Sequence, residues 1–357
     1  MSGIHQFVPM LHRGDAVGRH TLRLRDLMVA RGIDSRIYVE LIDPETEGET
    51  ALASTYPGDC QPGDVLVYQL ATASDLAPWL AARAETLVVN YHNITPPELF
   101  AAWDNRLALH QLRARSELQL LSARTALGIA VSAFNRRDLD AAGYGATAVV
   151  PPAAVLPQEV RERTAESRSG GDGSSRRGTR WLSVGRMAPN KAIEDVVMAL
   201  LVARSSYDPD TTLTIVGKPV IASYTSALHR IVCEAGLDES VRFLGHASDA
   251  DLAAAYAEAD VLMVTSAHEG FGVPLIEAMS FGLPIVMSAA GALPEVVGRA
   301  GVVTATNDPW ALAGTVTELL GDAERCRALA AAGGAQLEAL DLLTAGDRMI
   351  DLVCALR

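Results

Sequence analysis

Six short runs of apolar and β-branched residues alternate with helical stretches in the first half of the chain, and six more do so in the second. That alternation is the mark of parallel α/β layers, because a parallel strand is reached only by crossing back over the sheet. In the first half strands are expected at 4–8, 35–39, 64–70, 86–91, 128–132 and 147–150. Helices are expected over 20–31, closed by Gly32, and over 105–126. In the second half strands are expected at 181–184, 212–216, 241–244, 261–265, 285–288 and 301–303, and the tail from 308 to 357 reads as helices only.

The alternation breaks once. Residues 158–180 contain RERTAESRSGGDGSSRRGTR, rich in Arg, Ser and Gly and empty of large apolar side chains. Such a stretch buries too little surface to order itself and reads as a flexible linker. The expected organisation is therefore a Rossmann-like domain over 1–157, the linker over 158–180, and a second Rossmann-like domain over 181–335. A final helix over 336–357 is a candidate to pack back on the first domain. The 357 residues suffice for two cores, and 49% hydrophobic with 20% charged residues is globular composition.

A net charge of -13 argues against nucleic acid as a partner. No apolar run reaches membrane-spanning length, and the start MSGIHQFVPM lacks the basic and apolar pattern of a leader. Cys60, Cys233, Cys326 and Cys354 show no paired spacing, which suggests reduced thiols and a cytoplasmic location.

In doubly wound sheets ligands bind beyond the carboxyl ends of the strands, so the informative residues follow strands. After the run 261–265 comes SAHEGFGVPLIEAMSFG. Glu269 and Glu277 flank Gly270-Phe271-Gly272, and the helix opens at Val273. The glycines let main chain approach a ligand, the first helical amides favour an anion, and the carboxylates can accept hydrogen bonds from a diol. After 181–184 comes SVGRMAPNKAIEDVV, where Arg186 and Lys191 can meet a diphosphate, Arg as a planar fork and Lys as a point charge. The plainer reading makes Arg186 and Lys191 surface cations and Glu277 a first-turn carboxylate of an ordinary helix.

In the first half, Gly14 and Gly18 lie in a loop leading into a helix, without the third glycine of the dinucleotide fingerprint. His92 follows the run 86–91, where a histidine either bonds a loop carbonyl or faces a ligand. Ser132 and Asn135 read as a helix cap. Asp208 with Asp210 reads as a turn, and Ser248 with Asp251 as a cap. His229 and Cys233 alone do not make a zinc site, so no essential metal is expected.

Gly185-Arg186 with Lys191, then Phe243-Leu244-Gly245, then Glu269-Gly-Phe-Gly with Glu277, then Gly291 with Pro294-Glu295, resembles glycosyltransferase family 4, the glycosyl transferases group 1. The resemblance covers nearly all of 181–305; Ala192 departs from it, since many members carry glycine after the lysine. It implies the GT-B fold, two Rossmann-like domains facing a central cleft, the first on the acceptor side and the second holding the donor. It implies a retaining transfer of a sugar from a nucleoside diphosphate to a hydroxyl of a glycan or small metabolite, with a UDP-sugar ahead of a GDP-sugar and no cofactor beyond that donor.

By the same resemblance Arg186 and Lys191 bind the diphosphate, Glu269 the transferred sugar and Glu277 the ribose, with Gly14, Gly18, Gly270, Phe271, Gly272 and Val273 at the donor. His92 looks like the first-domain histidine that faces the sugar, with its exact role left open. Alternatives are a non-catalytic nucleotide-sugar-binding protein and a sugar phosphorylase or epimerase of the same fold. Peripheral membrane contact is disfavoured: Arg106, Arg113, Arg115 and Arg124 lie among leucines with Glu117, the pattern of a solvated helix face. The sequence leaves oligomeric state, linkage and acceptor undetermined.

Overall fold

A computed structural model of the chain describes residues 2–153 and 178–357. Most of the linker expected at 158–180 lies outside the described residues. The chain divides into two compact units. One holds the first seven strands together with the segment Asp341–Arg357, which carries the last helix, and the other runs to Leu340 and takes in Ala102–Asp104.

The strands of the first unit are β1 (Ile4–Val8), β2 (Ile37–Val39), β3 (Thr50–Leu52), β4 (Val65–Leu70), β5 (Thr86–Tyr91), β6 (Thr125–Ala130) and β7 (Thr147–Val149). They form one parallel sheet in the order β3-β2-β1-β4-β5-β6-β7, so the winding reverses between β1 and β4. The strands of the second are β8 (Arg180–Val184), β9 (Thr212–Val216), β10 (Val241–Gly245), β11 (Val261–Val264), β12 (Ile285–Ser288) and β13 (Gly301–Thr304). They too are parallel, in the order β10-β9-β8-β11-β12-β13, and reverse between β8 and β11. Each reversal leaves two adjacent strand ends whose loops diverge, which opens a crevice there.

Two local differences from the sequence reading have plain causes. The long helix Asn105–Ser122 stops before 126, because β-branched Thr125 is drawn into β6 by pairing with Leu87. Strand β3 was not expected; it is a short edge strand whose run contains Ala51, too brief to show a period. The turn and cap assignments hold: Asp208 accepts from Thr179 N at 3.2 Å and Asp210 N at 3.1 Å, while Ser248 accepts from Asp251 N at 3.1 Å. Ser132 likewise caps Ala133–Ala141 through Asn135 N at 3.0 Å.

The last helix, Leu342–Cys354, is amphipathic and buries Ala345, Met349, Ile350 and Val353 against Ile4, Leu24, Met28, Val65 and Val67. A Cβ on Gly346 would stand 2.5 Å from Leu27 Cδ1, so this helix meets the helix Ala16–Ala30 closely. Arg31 fixes the register, donating to Asp347 at 2.7 Å and Asp351 at 2.6 Å.

Gln6, Gln69 and Asn90, on β1, β4 and β5, are buried polar residues inside the first sheet's core, with His20 beside them. Burial alone pushes the His20 imidazole down to about 4 from the usual 6.5. Between those values the unfolded chain takes up a proton that the folded chain refuses. This group's contribution is therefore complete above pH 6.5 and lost as pH falls toward 4, roughly 3 kcal/mol in all. Thermal unfolding followed from pH 7 to 4.5 will show the midpoint falling, and His20→Gln will flatten that fall. An identical slope in the variant would exclude His20 as its source.

Candidate functional site

At the end of β8 the chain turns at Gly185 (φ 149°), a backbone conformation that favours glycine. A Cβ there would sit 3.3 Å from Lys191 Cε, so the lysine stem lies over the bare main chain. Gly217, at the end of β9, packs still closer: its Cβ would be 1.8 Å from the Gly185 carbonyl oxygen. Only glycine allows these two strand ends to touch. Arg186 follows and is exposed. Met187 N then bonds Lys218 O at 2.8 Å, which brings the exposed Lys218 to the same edge of the sheet.

The chain next makes a single turn, Pro189–Lys191, and enters the helix Ile193–Ser206 through Ala192. Lys191 Nζ makes an ion pair with Glu269 Oε1, and Ser266 Oγ donates to the same oxygen at 3.0 Å. The two loops are stitched by hydrogen bonds to main-chain atoms as well. Ala267 N bonds Asn190 O at 2.9 Å, and Thr265 Oγ1 donates to Ala192 O at 2.8 Å. The loop after β12 joins them through Ala292 N to Glu269 O at 2.9 Å. Gly291 (φ 59°) makes that possible, since a Cβ on it would lie 2.1 Å from Glu269 O.

Gly270 and Phe271 are buried, and Gly272 caps the helix Val273–Ser280. Glu277 is not on the solvent face of that helix. It is 3% exposed, and Tyr256 donates its hydroxyl to Glu277 Oε2 at 2.7 Å. A carboxylate held this way keeps its acceptor capacity pointed and dry. Thus Arg186, Lys191 and Glu269 sit in the loops at the carboxyl ends of adjacent strands in one unit, Glu277 lies in the helix that follows, and Lys191 touches Glu269 directly. Sequence reading missed Lys218, Ser266 and Tyr256. Lys218 could have been found as a cation directly after a strand-ending glycine; nothing in the spacing marks Tyr256 as a partner of Glu277.

In the first unit, Gly14 lies in the turn after β1, and Asp15 caps Ala16–Ala30 by accepting from Gly18 N at 2.7 Å. A Cβ on Gly18 would meet the His12 carbonyl oxygen at 1.7 Å, so the loop folds onto the helix only because that residue is glycine. His92 follows β5. Its Nε2 lies 2.7 Å from Gln69 Oε1, and its ring meets that of His20 edge to face at 5.2 Å. Burial, and then the nearby His20, hold the His92 imidazole well below the ordinary 6.5, so it is neutral at physiological pH.

Ala192 has φ 46° and ψ 48°, left-handed values that cost a Cβ-bearing residue about 1 kcal/mol relative to glycine. Ala192→Gly should therefore raise stability by about 1 kcal/mol. Gly291→Ala carries both the same strain and a clash with Glu269 and should lower it by about 2 kcal/mol or more. Denaturant unfolding of the two variants checks this pair; shifts of the same sign would refute the backbone argument.

Residues 178–322 match the model of the family described as Glycosyl transferases group 1. Among curated proteins, the GDP-mannose:cellobiosyl-diphosphopolyprenol alpha-mannosyltransferase of Xanthomonas oryzae pv. oryzae is 34% identical over 110 residues, 31% of this chain and 28% of that protein. The chain thus aligns with less than a third of that relative's length. Solved structures match nearly end to end. The crystal structure of Anabaena HepE in complex with UDP-glucose has a TM-score of 0.77 at 19% identity, covering 99% of each chain. Sucrose-phosphate synthase from Thermosynechococcus elongatus has 0.77 at 19%, covering 100% of this chain and 99% of that one. Over residues 178–322 the chain is thus similar to the glycosyl transferases group 1, and it has the GT-B fold.

Proposed function

We propose that this protein is a retaining glycosyltransferase that moves a sugar from a UDP-sugar to a hydroxyl of a glycan or small-metabolite acceptor, without an essential metal. The observation that carries the reading is the Lys191–Glu269 pair at the reversal point of the second sheet, with Arg186 next in the chain to the glycine over which the lysine stem lies. A crystal structure of a full-length structural relative with UDP-glucose supports the choice of donor. Location in the cytoplasm fits four free cysteines, and no helix among the described residues is long and apolar enough to cross a membrane.

On this reading Glu269 holds the lysine in place until a diphosphate competes for it. Arg186 and Lys191 then stabilise the charge that develops as the bond between the anomeric carbon and the phosphate oxygen breaks. The acceptor oxygen bonds that carbon on the same face, and its proton passes to the departing phosphate. Glu269 is released to a sugar hydroxyl, and Glu277, aimed by Tyr256, accepts from the ribose. His92 positions the sugar. Cationic side chains fill the place that a divalent ion takes in other sugar transferases, so the reaction needs none.

Lys191→Ala and Glu269→Ala should each lower turnover by about a hundredfold or more while leaving the chain folded. The double variant should lose little beyond either single one, because the two side chains act as a pair. Near-normal turnover in both singles would remove them from the site. Transfer from a UDP-sugar should also survive exhaustive chelation; a complete loss restored by magnesium would overturn the metal-free mechanism. Consumption of donor without acceptor, or only with added phosphate, would point to an epimerase or a phosphorylase instead.

A further inference from the structure

The buried polar residues of the first sheet form a chain of hydrogen bonds whose direction can be read from one end. Gln6 Nε2 lies 2.9 Å from the carbonyl oxygen of Thr21. A carbonyl can only accept, so Gln6 presents its nitrogen there and its oxygen to the other side. That oxygen lies 2.8 Å from Gln69, which must therefore turn its own nitrogen toward Gln6. Gln69 Oε1 is left facing His92 Nε2 at 2.7 Å and Asn90 Nδ2 at 2.8 Å. An oxygen 2.7 Å from a ring nitrogen requires a hydrogen between them, and only the ring can supply it.

The geometry points to Gln69, backed by Gln6, as a positioning residue that fixes His92 as its Nε2–H tautomer and leaves Nδ1 an unprotonated acceptor. Among the described residues no hydrogen bond reaches that Nδ1, and the side chain is half-buried. The Asn90 amide nitrogen is also 3.2 Å from His92 Nε2, but its two hydrogens have better acceptors in Gln69 Oε1 and His20 Nε2, both at 2.8 Å.

One mismatch follows at the far end. His20 Nδ1 lies 2.9 Å from the amide nitrogen of Ala153, and a neutral ring that accepts at Nε2 carries its hydrogen at Nδ1. Reversing the whole chain would cure this contact only by setting Gln6 Oε1 against Thr21 O. Thr21 is held inside the helix Ala16–Ala30 and cannot withdraw, whereas Ala153 lies on the loop after β7 and can. The mismatch therefore resolves at Ala153, and the direction set by Thr21 stands.

The tautomer itself stands on this network alone. It rests on the proposed function only for what Nδ1 does, which is to accept a hydrogen bond from a sugar hydroxyl and never donate one. The test is long-range proton–nitrogen NMR of the full chain carrying nitrogen-15 histidine, at pH 7.5, with the His92 signal assigned by its absence in His92→Asn. We expect Nε2 protonated and Nδ1 bare in the native protein. That form should give way to a mixture of tautomers in Gln69→Leu, and transfer should fall about tenfold in that variant. A protonated Nδ1 in the native protein overturns the assignment even if no variant folds, and so does an unchanged spectrum in folded Gln69→Leu. Failure to detect transfer with the spectrum as expected would count against the proposed function and not against the tautomer.

Discussion

The contact between Lys191 and Glu269 organises the second sheet's carboxyl edge. These residues are far apart in the chain, yet their loops leave β8 and β11, the two neighbouring strands between which the winding reverses. A side-chain pair alone would hold such loops weakly, because much of the attraction between two charges is repaid in lost hydration. Here hydrogen bonds to main-chain atoms do most of the joining. Asn190 with Ala267, Thr265 with Ala192, and Glu269 with Ala292 bring three loops into one framework on which the charges are mounted. Glycines at 185, 217 and 291 are what let those backbones come so close.

The first sheet solves a different problem. Central strands of a parallel sheet are usually apolar on both faces, and placing three amides and two imidazoles among them is costly unless each finds a partner. Gln69 and Asn90 are register partners on β4 and β5, and Gln6 stands two residues along on β1, so the amides fall side by side on one face. They bond one another and reach His92 at the strand end, where the polar row meets the exposed edge. A buried network of this kind has little freedom in its hydrogen positions, and that stiffness is passed to the ring at its end.

Fold class and most strand positions were legible in the sequence because burial on both faces of a parallel sheet writes itself as short continuous apolar runs. The loops carrying Arg186, Lys191, Glu269 and Glu277 were legible for a related reason: ligands of such sheets meet the residues just after strands. Less visible were the states of those residues. Glu277 reads as a diol acceptor about one turn inside its helix, but nothing local shows that it is buried under Tyr256, a partner supplied by another helix. The departure at Ala192 reads as a mild local change, and only its left-handed dihedrals reveal a strained position.

By itself the sequence determined which residues stand at strand ends, since hydrophobic periodicity is local and each loop inherits its place from the strand before it. Tertiary structure alone decided which of those residues touch. Lys191 meets Glu269, Tyr256 meets Glu277 and Gln69 meets His92 because strand order brings together segments that are remote in the chain. Strand order is set by how whole layers bury their faces against one another, and no spacing within a single segment encodes it.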